Sequence, residues 1–85
     1  MILTLEPQEI NHLFNQDVTT ENNGGFQKLL VKLQRQFNRF DNTLYLNETD
    51  LERIPRYAFD YGNGGWENRL VQIFSRTLGN NLGRN

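Results

Sequence analysis

Two glycine turns that precede helical patterns decide the fold: Asn23-Gly24-Gly25-Phe26-Gln27 and Asn63-Gly64-Gly65-Trp66-Glu67. The second segment repeats the first forty positions later. Each is followed after two residues by a further matching run, Leu30-Val31-Lys32-Leu33 and Leu70-Val71-Gln72-Ile73. A tandem match at a fixed spacing indicates two similar structural units. The pattern therefore predicts two halves of one architecture, and it carries no catalytic motif.

The match continues upstream with an offset of forty-one residues, because Leu3-Thr4-Leu5 corresponds to Leu44-Tyr45-Leu46 and Glu9-Ile10 to Asp50-Leu51. Apolar side chains alternate with polar or amphipathic ones in the stretches 2–5 and 43–46, which predicts short strands that bury one face. Each half thus reads as a strand, a short helix, a turn and a longer helix. We expect the two strands to pair across a pseudo-two-fold axis.

Helix signals follow each strand. Pro7 suits the first turn of a helix, and Thr49-Asp50-Leu51-Glu52 fits a capping box that begins at Thr49. Pro55 is predicted to end the second short helix early, because its ring disfavours helical geometry at the preceding residue. The longer helices, 26–40 and 66–78, each place their apolar side chains on one side.

The predicted fold is α+β and mainly helical: a tandem β-α-α duplication about a pseudo-two-fold axis, with four helices and a small two-stranded sheet. The chain of 85 residues is expected to form a single domain, with repeats at 2–40 and 43–79 and a flexible tail at 80–85. A free edge on the strand ribbon could recruit a second copy, so a homodimer is among the expectations.

Composition narrows the function classes. With 36% hydrophobic and 22% charged residues the chain is typical of globular proteins, and the absence of cysteine excludes disulfides, thiolate metal sites and a cysteine nucleophile. The net charge of -1 favours neither a nucleic-acid binder nor a DNA mimic. The N-terminal stretch lacks the features of a signal peptide, and no apolar run is long enough to span a membrane, so a cytoplasmic location is expected.

A basic face and the glycine turns are the first candidate sites. The side of helix 26–40 opposite its apolar residues carries four cations that could contact a phosphate backbone or an acidic partner: Lys28, Lys32, Arg35 and Arg39. A solvated helix face is the simpler interpretation. Backbone N–H groups at helix N-termini favour anions, which makes the turns candidate anion-binding sites at Gly24, Gly25, Gly64 and Gly65. The stronger interpretation of these glycines is structural, because glycine supplies positive φ where the chain reverses.

The halves differ most at Arg56-Tyr57-Ala58-Phe59-Asp60-Tyr61, which replaces a polar segment around residues 15–20. Tyrosine, tryptophan and arginine are the residues that anchor protein interfaces. The candidate partner-binding residues are therefore Arg53, Arg56, Tyr57, Tyr61, Trp66 and Arg69. Alternatively, the aromatic side chains of 57–61 fill the core between helices, and the sequence leaves both interpretations open.

No pattern in the chain predicts catalysis. His12 is the only histidine and has neither a second imidazole nor a cysteine to complete a metal site. The acidic residues near 6–9 and 48–52 fall at predicted helix N-termini, where they complement the helix dipole. We therefore expect no enzyme activity, metal or cofactor.

The segment Arg53-Ile54-Pro55-Arg56-Tyr57-Ala58-Phe59-Asp60-Tyr61-Gly62-Asn63-Gly64-Gly65-Trp66-Glu67 resembles that of small bacterial proteins associated with mobile DNA, such as prophage or integron cargo. The resemblance implies no assigned activity, but it adds an inhibitor of host or anti-phage defence machinery to the candidates. The function predicted is a non-enzymatic protein-binding module. Such an inhibitor is the alternative, and nucleic-acid binding through the basic face comes third.

Overall fold

The computed structural model describes residues 1–85 and contains four α-helices and one three-stranded antiparallel sheet. The elements follow one another as β1 (Ile2–Thr4), α1 (Pro7–Phe14), a 3-10 turn (Val18–Thr20), α2 (Gly25–Gln36), β2 (Phe37–Asn38), β3 (Thr43–Tyr45), α3 (Glu48–Phe59) and α4 (Gly64–Leu78). The mainly helical α+β class predicted from the sequence is confirmed. No helix combines the length and the apolar character that a membrane crossing requires.

The sheet has the order β1-β3-β2, and β1 pairs with β3 as predicted. The prediction of a two-stranded sheet was wrong, because α2 ends at Gln36 and the chain continues as β2. Phe37 lies opposite Leu44 in the sheet and packs edge-on against Phe14, with ring centroids 5.5 Å apart. Strand pairing and this aromatic contact override the helical pattern that extends to residue 40 in the sequence.

Helix α3 also departs from the prediction, because it continues through Pro55 to Phe59. Proline removes one intrahelical hydrogen bond. The helix is nevertheless fixed on both sides of Pro55, since Ile54 and Ala58 are buried in the core. Its capping box starts two residues earlier than predicted: the Asn47 side chain accepts from the Asp50 N–H at 2.8 Å, and Asp50 accepts from the Asn47 N–H at 3.0 Å.

A single hydrophobic core lies between the sheet and the helices, and it includes Phe74 and Leu44. The predicted flexible tail contributes to this core, because Leu82 is fully buried. The tail is also held at the surface, where Arg84 binds the Asp60 carboxylate through two hydrogen bonds of 2.7 and 2.8 Å. Leu82 has a left-handed backbone with φ 51°. That conformation costs about 1–2 kcal/mol, which the burial of a leucine side chain offsets.

Two buried carboxylates connect α1 and α3 to the longer helices. Glu9 on α1 accepts three hydrogen bonds, from the Glu6 N–H at 2.8 Å and from Arg76 Nε and Nη2 at 3.0 and 2.8 Å. Asp50 on α3 accepts from Lys32 Nζ at 2.6 Å and Gln36 Nε2 at 3.0 Å. Burial acts to raise the pKa of both carboxyls, but these hydrogen bonds outweigh it and lower both pKa values.

Candidate functional site

Four aromatic side chains meet beside the N-terminus of α2, and we call them the aromatic cluster: Phe26, Tyr57, Tyr61 and Trp66. Phe26 and Trp66 stack with ring centroids 4.9 Å apart, and Tyr57 stacks on Tyr61 at 5.0 Å. Trp66 joins the two stacks, because both tyrosine rings meet it edge-on at about 6 Å. Each ring in the cluster is therefore held by at least one other ring.

Exposure increases from the base of the aromatic cluster to its rim. Phe26 is 3% exposed and belongs to the core, Tyr57 and Trp66 are half-buried, and Tyr61 is 54% exposed. The sequence left open whether the segment 57–61 is core or surface. The structure divides it: Tyr57 and Phe59 pack against the core, whereas the Tyr61 ring lies at the surface.

Gly25 is required by the close approach of Tyr57. A Cβ at Gly25 would overlap the Tyr57 hydroxyl and lie 2.7 Å from Tyr57 Cζ. The interpretation that these glycines supply positive φ is wrong for both predicted turns, since the glycines with left-handed φ are Gly62, Gly79 and Gly83. In the second turn, a Cβ at Gly64 would meet nothing within 4 Å. The two glycine turns are therefore alike in sequence but not in packing.

Replacing Gly25 with alanine is expected to lower the free energy of unfolding by about 1–3 kcal/mol, because the added methyl displaces the Tyr57 ring from its stack. Gly64→Ala is the matched control. It begins α4 with open space around it, and we expect no loss or a gain of up to about 1 kcal/mol from helix propensity. Urea denaturation measures both. Equal stabilities of the two variants would contradict the proposed contact between Gly25 and Tyr57.

The helix N-termini at the two glycine turns also differ. In α4 the Asn63 side chain accepts from the Trp66 N–H at 3.1 Å. In α2 the N-cap residue is Gly24, and no side chain accepts from the first turn. Of the predicted anion-binding turns, only that at Gly24 and Gly25 therefore leaves its N–H groups without a side-chain cap.

Two arginines flank the aromatic cluster. The Arg69 guanidinium lies 5.7 Å from the centre of the Phe26 ring and donates to Gln16 Oε1 at 2.6 Å. Arg56 lies 5.5 Å from the centre of the Tyr57 ring and forms an ion pair of 3.2 Å with Glu52, while its buried Nε has no hydrogen-bond partner. Both guanidinium groups therefore lie near aromatic faces, where the cation–π attraction is favourable.

Five of the six predicted partner-binding residues are brought together at this surface: Arg56, Tyr57, Tyr61, Trp66 and Arg69. The sixth, Arg53, is half-buried on α3 and makes no ion pair or ring contact. Sequence reasoning assigned Phe26 to the apolar side of its helix and missed its place in the cluster. The signal was available, because Phe26 occupies the position of Trp66 in the first glycine turn.

The predicted basic face does not form a continuous cationic stripe. Lys32 pairs with the buried Asp50, and Arg35 pairs with Glu21. Arg39 lies beyond the end of α2, with its guanidinium 4.3 Å from the centre of the Phe14 ring. Only Lys28 is exposed without an ion pair or ring contact. Most of the charge that a phosphate backbone would need is therefore engaged within the chain.

The remaining polar residues do not assemble into a metal-binding group. His12 is half-buried on α1, and no group of three or more His, Asp or Glu side chains lies close enough to hold a metal ion. One concavity of about 400 Å³ lies at the opposite end of α3 from Tyr57, lined by Met1, Tyr45, Leu46, Leu51 and the start of α3.

Comparison with protein-family models, curated proteins and solved structures found no match to this chain.

Proposed function

We propose that this protein is a non-enzymatic protein-binding module that contacts its partner with the aromatic cluster. The observation that carries the proposal is Tyr61, whose residue is 54% exposed and whose ring stacks on Tyr57 and meets Trp66 edge-on. Exposed tyrosine beside tryptophan and arginine is the composition of interface residues that dominate binding energy. Arginine is supplied by Arg56 and Arg69, which flank the aromatic cluster.

The packing of the cluster supports the proposal in a second way. Ordering a flexible side chain on binding costs roughly 0.5–1.5 kcal/mol. The Tyr61 ring is already fixed by Tyr57, with ring planes 18° apart, and by Trp66 on its edge. A partner therefore meets a rigid aromatic surface, and less of the contact energy is lost to ordering.

The class of partner comes from the resemblance to proteins carried by mobile DNA. Small proteins of that kind can act by binding and blocking a host or rival machine. We therefore propose a protein component of such a machine as the partner, and inhibition as the consequence of binding. The aromatic cluster serves equally in a module that binds without inhibiting, and the identity of the captured protein separates these two outcomes.

Replacing Tyr61 with alanine is expected to remove partner capture while the domain stays folded. The full chain, its Tyr61→Ala variant and its Tyr45→Ala variant would each be used for affinity purification from the native host, followed by quantitative mass spectrometry. Tyr45 is the matched control, because it is 52% exposed but lies on the sheet. We expect a specific protein to be depleted at least about ten-fold with Tyr61→Ala and retained with Tyr45→Ala.

Two results of this purification would contradict the proposal. One is a specific partner retained equally by all three forms of the chain, which would place binding elsewhere on the surface. The other is recovery of nothing but the chain itself, which would favour a self-assembling structural protein. Circular dichroism of each variant verifies that a loss of capture is not a loss of fold.

We further propose that the fold is a fused pair of equivalent β-α-α units related by a pseudo-two-fold axis. Leu3 and Leu44 occupy equivalent positions of the sequence repeat and lie directly opposite each other in the sheet. Phe26 and Trp66 are equivalent too, and their rings stack with planes 2° apart. Residues close to a two-fold axis meet their own counterparts, so both contacts support this arrangement.

The buried carboxylates give further support. Glu9 and Asp50 are equivalent in the repeat, and each accepts hydrogen bonds from the longer helix of the other half. The donors, Arg76 to Glu9 and Gln36 to Asp50, are themselves forty positions apart. Reciprocal contacts of this kind are expected when two copies of one unit exchange the same interaction.

A further inference from the structure

Exposed apolar side chains concentrate on the sheet side of the molecule. Of the six large hydrophobic residues with high exposure, four lie in or beside the strands: Met1 at 57%, Ile2 at 68%, Tyr45 at 52% and Phe40 at 103%. Ile2 and Tyr45 are directly opposite each other on β1 and β3 and point outward. Met1, Ile2 and Tyr45 lie at one end of the sheet and Phe40 in the turn at the other, and such a concentration of exposed apolar side chains on one side of a small domain indicates an interaction site. It shares no residue with the aromatic cluster.

Phe40 is held in solvent by the turn that joins β2 to β3. The Asn38 side chain accepts from the Phe40 N–H at 2.9 Å. Asp41 Oδ1 accepts from the Thr43 N–H at 3.2 Å and from the Thr43 hydroxyl at 2.6 Å. Asn42 takes the left-handed conformation with φ 59°, which asparagine tolerates well. The loop thus presents a full phenyl ring that makes no contact with its own core.

A complementary concavity lies at the other end of β3. Its volume is about 400 Å³, and its lining has an apolar part from Met1, Tyr45, Leu46 and Leu51 and a polar part from Asn47, Glu48 and Thr49. This volume accommodates a phenyl side chain. Strand β3 therefore runs from the turn that bears the projecting Phe40 ring to a partly apolar pocket at its other end.

We propose that two copies of this chain associate about a two-fold axis through the outward face of the sheet, with Phe40 of each copy in the pocket of the other. In an antiparallel stack of two such faces, the turn that bears Phe40 in each copy lies at the pocket end of the other. The outward row between them, Thr4, Thr43 and Asn38, is uncharged and made of small polar side chains. A projecting group and a pocket on one face are self-complementary, as a closed two-fold interface requires.

The available surface is sufficient for a modest dimer. The four exposed apolar side chains offer on the order of 600 Å² per copy, against about 800 Å² per partner in a standard interface. The polar row between them would supply part of the remainder. We therefore expect a reversible dimer rather than an obligate one.

Pairing of two β1 edges is the less favourable mode for a second copy. The Met1 N and O atoms bond to Leu46, and the Leu5 N–H donates to Asn42, so Ile2 and Thr4 direct their backbone groups to the free edge. The Thr4 carbonyl already accepts from Arg76 at 2.7 Å. On this edge only Ile2 therefore has both its N–H and its C=O free, so edge pairing would form few hydrogen bonds between copies.

Sedimentation equilibrium of the full chain over a concentration series tests the dimer. We expect Phe40→Asp to weaken dimerisation more than about ten-fold, because burial of a phenyl ring is lost and a charge enters the pocket. Val18→Asp is the control, since Val18 is 54% exposed on the 3-10 turn. It should change the dissociation constant less than about two-fold. A wild-type chain that stays monomeric to about 1 mM, a weak limit for association, overturns the proposal.

Mixing two variants distinguishes a dimer in which Phe40 of each copy enters the pocket of the other from dimers formed in any other way. Tyr45→Lys damages the pocket and leaves Phe40 intact, whereas Phe40→Asp does the reverse. Each variant alone should be monomeric at concentrations where wild type is dimeric. An equimolar mixture should form heterodimers, since one ring and one pocket remain intact and the two introduced charges, which meet at the other contact, are opposite. A Phe40→Asp variant that dimerises as tightly as wild type, or a mixture that gains nothing over its components, contradicts this mode of association.

Discussion

Replacing Asp50 with asparagine should lower the free energy of unfolding by about 2–4 kcal/mol, one of the largest effects expected of a single isosteric change in this chain. Asp50 is fully buried, and its carboxylate oxygens accept from donors on both sides: Lys32 at Oδ1, and Gln36 with the Asn47 N–H at Oδ2. An amide has only one acceptor oxygen. Whichever way the asparagine turns, its NH₂ group faces a donor and leaves it without a partner.

Glu52→Gln is the matched control for this substitution. It makes the same chemical change two residues further along α3, at a side chain that is 57% exposed and paired with Arg56 at 3.2 Å. Exposed ion pairs contribute about 0–1 kcal/mol. Thermal denaturation compares the two variants, and a domain of this size loses roughly 4–8 °C in midpoint for each kcal/mol. Similar midpoints for both would show that the Asp50 network contributes no more than a surface pair.

The pH dependence of stability provides a second test of the Asp50 carboxylate. The pKa of Asp50 is lowered because hydrogen bonds from Lys32, Gln36 and Asn47 outweigh the opposing effect of burial. A group whose pKa is lowered by folding stabilises the protein above its unfolded pKa of about 3.9, and that contribution is lost as the pH falls through the folded value. The stability difference between wild type and Asp50→Asn should therefore be constant near neutral pH and shrink below about pH 4. A difference that grows on acidification would contradict this account.

Replacing Tyr57 with alanine should lower the free energy of unfolding by about 2–4 kcal/mol, because truncation of a packed aromatic ring leaves a cavity. The Tyr57 ring contacts Tyr61 and Trp66 and lies against Gly25, so three neighbours lose their packing together. Chemical denaturation measures the loss. Native proteins are stable by only about 5–15 kcal/mol, so a loss of this size removes a large part of the margin.

Tyr61→Ala is the control for Tyr57→Ala, four residues along the chain. The Tyr61 ring is 54% exposed, and we expect its removal to cost less than about 1 kcal/mol. This difference separates the half-buried base of the aromatic cluster from its exposed rim. If the two variants lose the same stability, the division between base and rim is incorrect, and Tyr61 must be considered part of the core.

The sequence predicted the mainly helical α+β class and most of its elements. Local signals sufficed for β1, β3 and the starts of the longer helices, because alternation and helical spacing are properties of short segments. It did not predict β2, since Phe37 continues the apolar side of α2 and only its pairing with Leu44 favours an extended backbone. Pro55 misled the prediction for the converse reason. The penalty of proline in a helix is local, whereas the burial of Ile54 and Ala58 that outweighs it depends on the whole core.

The sequence predicted which types of residue form the candidate surfaces, but not how those residues are arranged. Tyr57, Tyr61 and Trp66 were identifiable from their enrichment in one half, but which ring is buried depends on the approach of Gly25 from the other half. The basic face failed as a continuous stripe because helical spacing gives no information on the acids that meet it. Asp50 and Glu21 come from other parts of the chain. Phe40 was assigned to an apolar helix face and instead lies in solvent, since the helix ends four residues before it.

The central claim is that the exposed rim of the aromatic cluster binds a protein partner. Its most direct test is the dissociation constant of the protein recovered with the wild-type chain, measured by isothermal titration calorimetry for wild type, Tyr61→Ala and Tyr45→Ala. We predict that Tyr61→Ala binds at least about ten-fold more weakly than wild type, while Tyr45→Ala binds as wild type does. Equal dissociation constants for wild type and a folded Tyr61→Ala chain would contradict the claim.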